Sequence, residues 1–235
     1  NPSLKVAVLE AGRPLSGRKC PIDGKKIKNC IGCSPCSIMN GFGGAGAFSD
    51  GKYNITNNFG GTLYEYIGKD EALSLMRYVD EINLNMGGLG TKLYSTSNSK
   101  IKTLCVQNNL HLLDASVRHL GTDINYVVLQ NLYDTLKDKV DFHFLATVEK
   151  VEKTDSGYRL YTNKEAFEGK QCIISGGRSG SKWMEDVCKD LEIPTNSNRV
   201  DIGVRVELPS DVFAHLTDEL CESKIIYRTA KYGDL

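Results

Sequence analysis

Residues 41–52 read Gly-Phe-Gly-Gly-Ala-Gly-Ala-Phe-Ser-Asp-Gly-Lys, with five glycines in the first eleven positions, and Cys30, Cys33 and Cys36 stand just before them. Glycine has no Cβ, so a run this dense lets backbone approach a ligand or another segment closely. The run lacks the Gly-Lys-Ser/Thr ending of a P-loop. No Gly-x-Ser-x-Gly elbow frames Ser49 as a nucleophile. Asp50 and Lys52 either fix a turn or touch a cofactor ring, where an ammonium stabilises negative charge that develops on reduction. With Cys20, the cysteines make a C-x9-C-x2-C-x2-C series. Two successive C-x2-C steps suit thiolates converging on zinc or an iron–sulfur cluster, although the second C-x2-C pair of a zinc ribbon is missing. A redox-active dithiol is the other reading. Cys105, Cys172, Cys188 and Cys221 sit singly in apolar contexts and read as small buried hydrophobes.

Three further places carry chemical side chains. Glu10 ends the apolar run Lys5–Leu9 and is followed by Ala-Gly-Arg. An acidic residue at the tip of a parallel strand can accept hydrogen bonds from both hydroxyls of a nucleotide ribose, or it can simply be solvated. Ser175-Gly176-Gly177 follows the apolar stretch Cys172–Ile174, where small residues let a cofactor pass near the backbone or make an ordinary turn. Of His111, His119, His143 and His215, no two share the i, i+4 spacing of a zincin site. His143 alternates with Phe142 and Phe144 and reads as structural, whereas Arg118 and His119 precede a helix start and are the substrate-facing pair.

The elements that must position these residues are of both kinds. Lys5–Leu9 reads as a central parallel strand. Residues 11–62 are rich in Gly, Pro, Cys and Asn and read as a long functional loop. Helical spacing predicts helices over Asp70–Asn85, Thr122–Lys137 and Trp183–Leu191, the first capped by Asp70. Strands are expected over Asn109–Ala115, Phe142–Lys153, Tyr158–Thr162, Gly169–Ser175 and Asp201–Glu207, with Asp155-Ser156-Gly157 closing a hairpin. Alternating elements at both ends around a different middle pattern argue for an α/β layer fold with an inserted second domain.

Composition narrows the classes. The 235 residues carry 29 Lys+Arg and 29 Asp+Glu, so net charge gives no global attraction to nucleic acid or anionic membrane. No apolar run approaches the roughly 20 residues of a membrane span, and no signal-peptide pattern opens the chain. Eight cysteines spread through a mid-sized chain read as reduced thiols of a cytoplasmic protein. The opening Asn-Pro-Ser and the closing Tyr-Gly-Asp-Leu read as the ends of an internal piece of a longer protein.

Six segments in order carry a family resemblance: Val-Leu-Glu-Ala-Gly-Arg (8–13), the Cys-x2-Cys-x2-Cys series, the 41–52 run, Arg-His-Leu-Gly-Thr-Asp (118–123), Ser-Gly-Gly-Arg-Ser-Gly (175–180) and Asp-Ile-Gly-Val-Arg-Val-Glu (201–207). Together the chain resembles the uncharacterised FAD-dependent dehydrogenases of bacteria and archaea, a branch of the glutathione-reductase-like flavoproteins. The resemblance covers nearly the whole chain and is most specific at 41–52. It implies a Rossmann-like FAD/NAD(P)-binding domain over 1–62 and 140–235, lacking its first βα unit, with an inserted α+β substrate domain over 63–139. It implies FAD as cofactor, with NAD(P) a second candidate, and hydride transfer to or from a small substrate.

By that resemblance Glu10 takes the adenosine ribose, Arg18 sits near the pyrophosphate, and Val148 meets the adenine through its backbone. Gly43, Gly44, Ala45, Gly46, Ser49 and Asp50 run beside the flavin, and Ser175, Gly176 and Gly177 form the second cofactor-contacting strand end. Lys52 and His119 are the candidate catalytic groups. The family's first and last FAD-gripping segments have no counterpart here, so this piece alone is expected to bind FAD poorly or not at all. Two other classes remain open. One is a metal or iron–sulfur electron-transfer module on Cys20, Cys30, Cys33 and Cys36. The other is a non-enzymatic, tRNA-linked flavoprotein relative, against which the balanced charge argues.

Overall fold

The structure is a computed structural model and describes residues 3–97, 99–197, 200 and 202–231. Its elements in chain order are β1 (Ala7–Glu10), β2 (Lys52–Ile55), α1 (Leu63–Ile67), α2 (Lys69–Asn83), β3 (Leu93–Ser95), α3 (Lys100–Gln107), β4 (Leu110–Leu112) and β5 (Ser116–His119). There follow α4 (Thr122–Leu136), β6 (Asp141–Phe144), β7 (Val148–Thr154), β8 (Gly157–Thr162), β9 (Ala166–Gly169), α5 (Ser181–Asp190), α6 (Ser210–Leu220) and β10 (Ile225–Tyr227). The fold is mixed α/β with small sheets. Among the described residues no helix is long and apolar enough to cross a membrane.

The chain divides into two compact units, Asn1–Phe48 with Leu129–Ile202, and Ser49–Val128 with Gly203–Leu235. Each is built from two pieces of chain, and one boundary falls inside the glycine run, between Phe48 and Ser49. Residues 203–235, expected with the cofactor domain, fall in the second unit.

In the first unit β1 pairs in parallel with β6, Ala7 opposite Asp141 and Glu10 opposite Phe144. The pairing continues past both strand ends, because the Leu145 N–H donates to Gly12 O at 2.9 Å and the Ala146 N–H to Glu10 O at 3.0 Å. Leu145 takes a positive φ of 56°. That kink divides the expected single strand 142–153 into β6 and β7. The second sheet is antiparallel β7-β8-β9, with Thr154 opposite Gly157 across the expected hairpin turn. An aromatic cluster of Phe42, Tyr133, Phe142 and Phe144, with ring centroids 5.2–6.1 Å apart, fills the space beside the parallel pair. The helix α5 lies against β7, where the Trp183 indole N–H donates to Glu149 O at 3.2 Å.

In the second unit β5 lies between β2 and β3, antiparallel to both. A separate antiparallel pair joins β10 to β4. Ile101, Cys105, Leu112 and Leu220 form the buried centre under α3, β4 and α6. At α3 the Ser99 Oγ accepts the Ile101 N–H at 3.0 Å, which satisfies one of the free donors of the first turn.

Two expected strands are not formed. Residues 171–176 have no ladder partner, the strand there being β9 at Ala166–Gly169, and Ile173 is 94% exposed. Among the described residues, 202–207 likewise have no ladder partner, with Ile202 98% and Val204 89% exposed, while Asp201 lies outside the described residues. Alternating apolar residues make a strand only where another backbone edge accepts their hydrogen bonds. The expected Asp70 cap is also absent: Gly68 holds the N-cap of α2, and Asp70 lies in its first turn.

Candidate functional site

The first unit gathers its candidate residues at the carboxyl end of β1. The Glu10 Oε1 accepts the Gly12 N–H at 2.7 Å and the Gly41 N–H at 2.9 Å. Neither bond uses Oε2. Gly12 must be glycine, since a Cβ there would lie 2.2 Å from the Gly41 nitrogen. Gly41 is held as closely: its φ is +117°, and a Cβ would lie 2.6 Å from Arg13 O and from Arg18 Cδ. The loop carrying the glycine run is thereby clamped onto the strand tip that carries Glu10.

Arg18 is only 4% exposed and anchors the same loop. Its guanidinium donates to Ser37 O at 2.9 Å, Ile38 O at 2.8 Å and Phe42 O at 2.6 Å, and it stacks over the Phe48 ring at 4.8 Å. Burial lowers its pKa, opposed by the nearby charge of Glu10 and of Cys36. An arginine stays charged regardless. Its donors are turned to loop carbonyls, so in this structure Arg18 is a buried strut of the loop, not an exposed anion receptor.

The run is not uniform. Gly43 faces the chain itself, because a Cβ there would lie 2.9 Å from Leu129 Cδ1. Around Gly44, which has a φ of +58°, and around Gly46 there is nothing within 4 Å of where a Cβ would stand. Ala45 is exposed between them. Gly44 and Gly46 thus have open space where a side chain would stand, whereas Gly41 and Gly43 are packed against the fold. Val148 opens β7 two residues beyond the Ala146–Glu10 bond, which brings its backbone near the same strand tip. On the far side, the Asn40 Nδ2 donates to Ser179 Oγ at 3.4 Å, tying the 36–40 turn to the turn after Ser175, Gly176 and Gly177. Gly177 has a φ of +62° and open space around it.

The second unit holds the candidate catalytic pair. Lys52 on β2 stands directly opposite His119, which is the last residue of β5 and not a loop residue. Lys52 Nζ lies 2.6 Å from Glu222 Oε2, and that carboxylate holds the ammonium above its ordinary pKa. A lysine so paired is charged across the neutral range, which suits electrostatic stabilisation and excludes a general-base role. His119 Nε2 is 3.3 Å from Asp50 Oδ2. The turn at Ser49–Gly51 is fixed by the Leu120 N–H donating to Gly51 O at 3.0 Å and the Gly121 N–H to Asp50 O at 2.8 Å. Gly51 has a φ of +63°, and a Cβ there would lie 2.7 Å from Asn125 Cβ.

Arg118 is not a substrate-facing partner of His119. It is 6% exposed and grips Asp80 through two bonds, Nε to Oδ1 at 2.5 Å and Nη2 to Oδ2 at 2.8 Å, with a third to Thr91 O. Successive residues of a strand face opposite sides, so Arg118 points into the unit and His119 away from it.

Among the described residues no three of His, Cys, Asp or Glu are gathered to hold a metal ion, so Cys20, Cys30, Cys33 and Cys36 do not form a ready ligand shell. Gly12 and Glu222 were missed in the sequence, and Gly41 was read only as the first residue of the glycine run. Ala-Gly-Arg after a strand was a usable signal for Gly12, but nothing in the spacing links Glu222 to Lys52. No family model, no curated protein and no solved structure matches this chain.

Proposed function

We propose that the protein is an FAD-dependent oxidoreductase, in which the β1–β6 pair belongs to a doubly wound, Rossmann-like nucleotide-binding sheet. The observation that carries this reading is the bonding of Glu10 Oε1 to the Gly12 and Gly41 N–H groups. It joins a carboxylate at the tip of a parallel strand to a bare-backbone loop. Ligands of open α/β sheets bind outside the carboxyl ends of the strands, with an acidic residue taking the ribose hydroxyls. Glu10 Oε2 is suited to that contact, and the space beside Gly44 and Gly46, where no atom lies within 4 Å of a Cβ position, suits a planar or phosphate group. FAD, when bound, supplies the two-electron hydride chemistry. The chain contributes position and charge: Lys52, held protonated by Glu222, and His119 suit a small anionic substrate.

The test is flavin fluorescence anisotropy with the purified chain. Weak, saturable FAD binding that adenosine competes away, and that Glu10→Ala reduces at least about tenfold, is the expected result; tenfold corresponds to about 1.4 kcal/mol. Binding that adenosine does not compete away, or equal binding by Glu10→Ala, would sink the flavin assignment.

A further inference from the structure

We propose that the segment 19–31 is the docking surface for a small acidic protein of the electron-carrier class; the class of partner rests on the oxidoreductase reading, the surface itself does not. The segment holds four lysines, Lys19, Lys25, Lys26 and Lys28, and one acid, Asp23, in a chain whose total charge is zero. All four lysines are exposed. Among the described residues none of the four has an ion-pair partner, whereas Lys102, Lys137, Lys150 and Arg159 are each paired with a carboxylate.

The one acid serves the backbone. Asp23 Oδ1 accepts the N–H groups of Lys25 and Lys26 at 2.8 Å and of Ile27 at 2.9 Å. In return the Asp23 and Gly24 N–H groups donate to Ile27 O at 3.1 and 3.3 Å. The turn is pinned from within, and its two lysines stay exposed. At its base the Arg18 guanidinium donates to Ser37 O, Ile38 O and Phe42 O, which ties the turn to the start of the glycine run. A held turn presents its charges without a large ordering cost on binding.

The neighbouring side chains select a protein as the partner. Ile22, Ile31 and Met39 on the same loop are 41%, 60% and 42% exposed. Apolar side chains within a charged rim are the make-up of a protein–protein contact. A nucleic acid strand needs aromatic platforms as well as positive charge, and residues 14–41 contain no Phe, Tyr or Trp. Binding in a membrane surface takes an amphipathic helix, and among the described residues no helix lies between Arg18 and Gly43. Lysines without partners steer an acidic protein and raise its association rate. Encounters of electron carriers are small, under about 1,200 Å², which a loop of this size can supply.

The experiment titrates the full chain with two acidic carriers, a plant-type ferredoxin and a flavodoxin, by calorimetry. It is run at about 0.01 M and about 0.15 M ionic strength, where the Debye length is about 30 Å and about 8 Å. At least one carrier should bind at the lower ionic strength and weaken about tenfold or more at the higher. Lys25→Glu with Lys26→Glu should lose about tenfold or more at low salt. Ile31→Ser should lose several-fold and keep the salt dependence. Lys139→Glu with Lys170→Glu makes the same change of net charge elsewhere in the first unit and should bind as the native chain does. No binding of either carrier, an equal loss in the Lys139/Lys170 variant, or tighter binding to a single-stranded oligonucleotide or to phosphatidylserine vesicles would overturn the proposal. The titration uses no flavin. Carrier binding without FAD binding keeps this surface and removes the flavin reading, and FAD binding without carrier binding removes this surface alone.

Discussion

Lys52 and His119 face each other across the β2–β5 ladder, as directly paired residues of two antiparallel strands. Their segments are far apart in the chain, and each carries a second charged neighbour, Glu222 for Lys52 and Asp50 for His119. The candidate chemistry of the second unit is thus a polar cluster built on the Lys52–His119 pair of the β2–β5 ladder, with Asp50 and Glu222 supplied from segments outside the strands.

The Lys52–Glu222 pair makes a pH-dependent contribution to stability. The folded lysine titrates above its ordinary value of 10.5, chiefly through the Glu222 hydrogen bond. That contribution is complete below 10.5 and is lost as pH rises through the elevated value. Both side chains are about one-third exposed, so solvent screening limits it to about 1 kcal/mol. Urea midpoints of the native chain and Glu222→Gln should differ at pH 8 and converge at strongly alkaline pH. A gap that widens with rising pH would contradict the pairing.

Arg118 and Asp80 are both buried, so removing one strands the other charge. Arg118→Met should cost about 3–5 kcal/mol, while Arg118→Met with Asp80→Leu should recover much of it. Equilibrium urea denaturation reads both. A single variant within about 0.5 kcal/mol of the native chain would show that the pair is not buried in solution.

Gly12 and Gly46 should respond to alanine in opposite ways. A Cβ at Gly12 would strike the Gly41 nitrogen at 2.2 Å, so Gly12→Ala should lose about 1–3 kcal/mol of stability or more. Nothing lies within 4 Å of a Cβ at Gly46, so Gly46→Ala should fold within about 0.5 kcal/mol of the native chain. If the loop runs beside a flavin, Gly46→Ala should still weaken FAD binding several-fold. Thermal melts beside FAD titrations separate the two effects.

Leu220 is 2% exposed at the centre of the second unit, packed with Ile101, Cys105 and Leu112. Leu220→Ala should cost about 2–5 kcal/mol, with the spread set by how far the site collapses. A change of less than about 1 kcal/mol on urea denaturation would mean that α6 does not dock where the structure has it.

Much of the local structure was readable before any coordinates. β1, α2, α4, α5 and the β7–β8 hairpin follow from apolar period and turn residues. α6 went unread although Pro209-Ser210-Asp211 is a helix-start signal and Val212, Phe213, Leu216 and Leu220 follow helical spacing. The stretch 202–207 failed in the other direction: its alternation is a strand pattern, yet among the described residues its backbone meets no edge to pair with.

From the sequence alone came the residue types able to do chemistry: Glu10 at a strand tip, a glycine run too bare for a core, a C-x2-C dithiol, and Lys52 and His119 as polar candidates. These rest on local rules of period, turn preference and side-chain chemistry, which act over a few residues. Only the tertiary structure decided that Glu10 holds the backbone of Gly12 and Gly41, and that Gly43 packs inward while Gly46 stays open. It also turned Arg118 into a buried partner of Asp80 and gave Lys52 its carboxylate in Glu222. Such pairings join segments distant in the chain, and they are set by which surfaces fold against each other and which charges lose water together.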